Sequence, residues 1–71
     1  MRTKKEKIED KIKELNEIRA MHHRRFKEIE RRYKEGEISE KNFEKHKKKY
    51  EKYKEKIRRK IHRLEDKLSS I

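Results

Sequence analysis

Apolar side chains recur along this chain at steps of three and four, in two series that together span most of its length. The first runs Ile8, Ile12, Leu15, Ile18, His22, Phe26, Ile29, Tyr33, with a histidine filling one apolar place. The second runs Phe43, His46, Tyr50, Tyr53, Ile57, Ile61, Leu64, Leu68, Ile71. Steps of this size keep side chains on one face of an α-helix, and nearly everything between them is polar. The pattern predicts two helices, one over about 3–35 and one over about 40–69. Each would be about 45–50 Å long at 1.5 Å per residue.

The stretch between the two series carries a stop signal and a start signal. Gly36 is the only glycine, and the chain has no proline. Glycine takes the left-handed conformation that closes a helix at little cost. Ser39 is placed to cap the next helix by accepting a bond from the Asn42 backbone N–H. Ile38 and Phe43 then have the spacing of a hydrophobic staple, which sets the entry angle of the second helix. The reciprocal half of a capping box is missing, because the third helical position holds Asn42 and not Glu or Gln. Residues 36–39 are therefore expected to form a turn. One continuous helix weakened at Gly36 is the competing arrangement.

Folding the chain at Gly36 brings the two series into register. Tyr33 meets Phe43, Phe26 meets Tyr50, Leu15 meets Ile61, Ile12 meets Leu64 and Ile8 meets Leu68, and the residue numbers of every pair add to the same total. Ile18 with Ile57 falls one short, and His22 lies near Tyr53. The irregularities match as well. Two consecutive four-residue steps occur at Ile18–His22–Phe26 and again at Tyr53–Ile57–Ile61, and such stutters locally unwind a supercoil. Defects at nearly the same level on both arms favour an antiparallel hairpin. The expected fold is all-α: one antiparallel two-helix hairpin, coiled-coil-like, over residues 1–71. The same pairing can also be satisfied between chains by domain swapping.

The seam has two chemistries. The aromatic residues Phe26, Tyr33, Phe43, Tyr50 and Tyr53 all lie in the half near the bend, and the far half is aliphatic. Tyrosines suit a narrow seam, where the ring packs and the hydroxyl reaches water. Aromatics among lysines also offer faces for stacking on bases, the less favoured role at seam spacing. Little apolar surface is left beyond Ala20 and Met21. Such a hairpin is marginal alone, because buried area barely offsets chain entropy. A homodimer, in the form of a four-helix bundle, is therefore expected. Glu9–Lys13, Glu28–Arg32, Glu44–Lys48 and Glu55–Arg59 have the favourable helical spacing, worth about 0.2–0.5 kcal/mol each.

The bend and the helix start after it resemble the SHOCT motif, a short helical module found at the ends of prokaryotic and archaeal proteins. Gly36, Ile38, Ser39, Phe43 and Tyr50 carry the likeness, which covers about a quarter of the chain. It implies helix pairing and oligomerisation, and it brings no catalytic residues.

Composition changes the picture through charge. The chain is 58% charged and 27% hydrophobic, with a net charge of +11. Such values usually mark disorder, but regular apolar spacing argues for helix. Without cysteine there is no disulfide framework and no thiolate metal site. Met1-Arg2-Thr3-Lys4-Lys5 leads into charge and not into an apolar run, so neither a signal peptide nor a membrane span is expected, and a cytoplasmic setting is. Abundant lysine and glutamate fit a thermophile's ion-pair style, and equally any coiled coil.

Three segments contain no acid: 18–27, 45–50 and 56–64. In the folded hairpin they are expected to form a basic belt around the middle. A sharper signal lies in the second helix, where Lys41, Lys45, Lys48, Lys52, Lys56, Arg59 and Arg63 fall on one stripe. The stripe spans about 33 Å of helix, close to one turn of B-DNA at roughly 34 Å. Cations so placed neutralise phosphates and release counterions. Arg24 and Arg25 of the first helix are candidates to extend the surface. A merely solvated helix face is the bland alternative, and mixed-sign faces suit it better than an unbroken basic stripe does.

The function expected is non-specific binding of nucleic acid, duplex DNA before RNA, as an architectural, nucleoid-associated protein. No helix-turn-helix, zinc finger or RNA-binding sheet is recognisable, and phosphate contacts carry no sequence information. The alternative is a protein–protein or oligomerisation module whose charge serves solubility or an acidic partner. Attachment to a membrane surface is weaker, because the broad apolar face of interfacial helices is missing. No cofactor, metal or small-molecule substrate is expected. His22 and His23 are adjacent and point apart on a helix. His22 and His46 near the seam lack further ligands. A two-helix rod offers no enclosed pocket for acid–base catalysis, so an enzyme is not expected.

Overall fold

The computed structural model describes residues 2–71. It is an antiparallel hairpin of two helices, α1 (Lys4–Lys34) and α2 (Glu40–Ser69), packed along their length into a rod of 52 × 18 × 13 Å.

Both helices begin on a side-chain cap. Thr3 accepts the Glu6 backbone N–H at 3.2 Å, and its hydroxyl donates to the Glu6 carboxylate. The Thr-x-x-Glu spacing at 3–6 is the sequence form of that cap, although apolar periodicity alone had begun the helix at Thr3. Ser39 accepts the Asn42 backbone N–H at 3.2 Å, as its position predicted.

Helix α1 closes in a Schellman turn. The Glu37 N–H bonds to the Arg32 carbonyl and the Gly36 N–H to the Tyr33 carbonyl, which satisfies carbonyls the helix end would leave bare. Gly36 has φ +77°, in the left-handed region, while no other described residue has positive φ. Arg31 steadies the last turn by pairing with Glu28 and, at 2.7 Å, with Glu35.

The register agrees with the pairing read from the sequence. Tyr33 stacks on Phe43 with ring centroids 4.2 Å apart, Phe26 on Tyr50 at 4.4 Å, and His22 leans on Tyr53 at 4.4 Å. A 6.0 Å contact between Phe26 and Phe43 joins the first two pairs into a run of rings. Away from the bend, Leu15, Ile57 and Ile61 form the buried core, and Ile12, Ile18 and Leu64 pack against it. Ile8 and Leu68, at the open end, are half-buried.

Two seam positions depart from the pattern. His46 is exposed, and Tyr53 is 50% exposed despite its contact with His22. His22 meets Tyr53 at the level of the four-residue steps, between the core and the ring stack.

Ion pairs do not join the helices. Among the described residues every one lies within a helix or ties the N-terminal segment back, as Arg2 does to Asp10. Of the four pairs expected from spacing, Glu28–Arg32 and Glu55–Arg59 form. Glu9–Lys13 and Glu44–Lys48 are not among those observed. Among the described residues one side-chain hydrogen bond crosses the seam, between His23 Nδ1 and the Tyr50 hydroxyl at 3.0 Å. Apolar and aromatic packing therefore holds the hairpin together.

Candidate nucleic-acid interface

Helix α2 points its apolar stripe at α1, so its opposite side faces solvent along its whole length. Lys41, Lys45, Lys48, Lys52, Lys56, Arg59 and Arg63 lie on that outer side, and all are exposed. Lys48, Lys52, Lys56, Arg59 and Arg63 converge on one shallow surface depression lined only by α2 residues, together with Lys60, Glu51 and Glu55. A second depression continues towards the bend and takes in Lys45, Lys48 and Lys52 with Asn42, His46 and Lys49. The sequence stripe is thus one surface.

Its charge is less uniform than residue types suggest. Glu55 accepts from Arg58 at 2.6 Å and from Arg59 at 3.2 Å. The hydrogen bond from Arg58 is the main reason the Glu55 carboxyl is held down at about 2, and the Arg59 bond adds to it. Arg59 is therefore partly neutralised where it stands. Among the described residues, Lys41, Lys45, Lys48, Lys52, Lys56 and Arg63 have no carboxylate within ion-pairing distance. Glu55–Arg59 was legible as a four-residue spacing. The competing Glu55–Arg58 bond, three residues apart, was not singled out, although the same rule covers it.

One expectation about charge needs correction. The contacts of Phe26 with Tyr50 and His22 with Tyr53 set the acid-free stretch of α1 opposite the part of α2 that holds Glu51 and Glu55. The acid-free segments of α2 lie to either side of that level, so the basic belt is interrupted. Arg24 and Arg25 lie beside the seam and not on the outer face of α2. As neighbours on a helix that faces α2 they diverge, one to each flank of the seam. Arg25 shares a groove with His46, Lys49 and Tyr53, and Arg24 shares one with His23, Tyr50 and Lys54. Lys49 and Lys54, which the stripe does not include, are the α2 cations that meet them.

The histidines divide in the same way. His22 packs on Tyr53 and His23 bonds to Tyr50, so adjacent residues engage the second helix from either side of the seam. Among the described residues, no three or more His, Asp or Glu side chains are grouped as metal ligands would be. No described helix is long and apolar enough to cross a membrane.

Comparison with protein-family models, with curated proteins and with solved structures finds no match to this chain. Geometry and charge therefore carry the functional reading.

Proposed function

We propose that this protein binds nucleic acid, duplex DNA before RNA, through phosphate contacts along the outer face of α2 and without reading base sequence. It would act as an architectural protein of the nucleoid, as a homodimer. One observation carries the proposal: the exposed cations Lys41, Lys45, Lys48, Lys52, Lys56 and Arg63 share one face of α2 with no carboxylate partner among the described residues. Cations outnumber acids along this face, where Glu51 and Glu55 are the acids beside Lys48, Lys52, Lys56, Arg59, Lys60 and Arg63, an excess that a face built only for solubility does not need.

The test is a mobility shift against unrelated duplexes at several salt concentrations. With those six cations on phosphates, log affinity is expected to fall against log salt with a slope of about −5, at roughly −0.9 per phosphate. The triple variant Lys48→Glu, Lys52→Glu, Arg59→Glu is expected to lose binding and keep its helical signal. A flat salt response, or a triple variant that binds like the parent, rejects the proposal.

A second reading has support of its own. Among the described residues only Leu15, Ile57 and Ile61 are buried, and Ile71 stays exposed. A core this thin favours hairpins that associate, and an oligomerisation module with no nucleic-acid role would show the same shortfall. Association that persists unchanged in the triple variant, with no duplex binding by the parent, would favour that reading.

A further inference from the structure

Of the grooves that flank the seam, one contains the half-exposed ring of Tyr53. Where His46 turns out to solvent, an open groove of about 310 Å³ is left between the helices. It is lined by His22, Arg25 and Phe26 of α1 and by His46, Lys49 and Tyr53 of α2, among others, and no carboxylate contributes. Its size is at the lower end for ligand sites, roughly 300 Å³. Tyr53 is 50% exposed here, the most open of the aromatic rings, and its position is held from one side by His22. Exposed aromatic surface with Arg25 and Lys49 beside it suits a flat ring that carries a negative charge nearby.

The groove also joins the cationic stripe. His46 and Lys49 line it, and the same two residues line the depression that holds Lys45, Lys48 and Lys52. A backbone that follows the lysines of α2 passes the mouth of the groove.

We infer that this groove takes one unpaired nucleobase from a strand whose phosphates run along α2. The base stacks on Tyr53, and Arg25 and Lys49 hold the flanking phosphates. Stacking accepts any base, since every base has a π face, so the site adds affinity for unpaired strands without sequence preference. A fully paired duplex has no base to offer and uses the stripe alone. The inference rests on the phosphate-binding proposal and goes further by assigning the groove, Arg25 and Tyr53.

The probes are a thymidine strand long enough to span α2, an abasic strand of equal length, a matched duplex, and a strand carrying 2-aminopurine. The base-bearing strand is expected to bind the parent roughly 5- to 150-fold more tightly than the abasic one, the range of a single base–aromatic stack. The 2-aminopurine fluorescence is expected to change on binding. Tyr53→Leu, which keeps an apolar side chain on His22, is expected to remove that preference and leave duplex affinity unchanged, while Tyr53→Phe keeps both. Equal binding of base-bearing and abasic strands by the parent overturns the inference, and that comparison needs no variant to fold. If duplex binding is intact in that case, the stripe proposal stands and only the groove falls. If the parent binds neither duplex nor strand, both fall. Adenosine monophosphate competing as well as the strand would also overturn it, by making the groove a site for a free nucleotide.

Discussion

Glu55 sits within a run of cations and holds two of them, Arg58 and Arg59. Glu55→Gln is therefore expected to tighten duplex binding, by removing a negative charge from the interface and releasing Arg59. The salt slope is expected to steepen by about one, because one more cation becomes available to a phosphate. Unchanged affinity and slope would mean that Arg59 does not contact phosphate. The same carboxylate has a pH signature. Its folded pKa of about 2 lies below its ordinary 4.5, so the folded state favours the ionised form. The stabilisation from its ion pairs is complete above about pH 4.5 and fades as pH falls to about 2. The group is exposed, so the effect is small and screened by salt. The difference in helix signal between the parent and Glu55→Gln is expected to close by about pH 2. A gap that stays open below that pH would place the effect elsewhere.

At the scale of elements, the turn is the point where local chemistry acts most directly. A Cβ added at Gly36 would meet nothing within 4 Å, so a substitution there is opposed by the backbone alone. With φ at +77°, Gly36→Ala is expected to cost about 1–2 kcal/mol, and a β-branched residue more. Ser39→Ala is expected to cost about 0.5–2 kcal/mol, by taking away the acceptor of the Asn42 N–H. Urea melts of both variants check these values. A neutral Gly36→Ala would show that the turn is not held in the left-handed conformation. The Schellman stop and the serine cap account physically for Gly36 and Ser39.

At the scale of the molecule, the rod is long for its core. Truncating a buried leucine costs about 2–5 kcal/mol, and Leu15 is one of three buried core residues among those described. Leu15→Ala is expected to abolish a cooperative thermal transition. If two hairpins pair, the parent's Tm rises with protein concentration, because association stabilises only the folded form. Sedimentation across the same concentrations should then give twice the mass of the 9.1 kDa chain. A Tm independent of concentration would reject the homodimer. The distribution of charge is a property of this scale too. The cationic stripe lies on the outer side of α2 because the hydrophobic seam occupies its inner side, and no cross-helix ion pair among the described residues draws it inward.

The sequence by itself determined the two helices, the stop at Gly36, the cap at Ser39 and the partners across the seam. These follow from spacing of three and four and from local backbone chemistry, both of which act within a few residues. It also determined that Lys41 to Arg63 share a face, since one helix suffices for that. Only the tertiary structure decided what depends on the exact rotation of one helix against the other. That rotation put Arg24 and Arg25 on opposite flanks and joined His23 to Tyr50. It also left His46 outside the seam and Tyr53 half open. A helical wheel places each residue to within a fraction of a turn. Near a stutter that error equals the difference between a side chain that closes the seam and one that lines a groove.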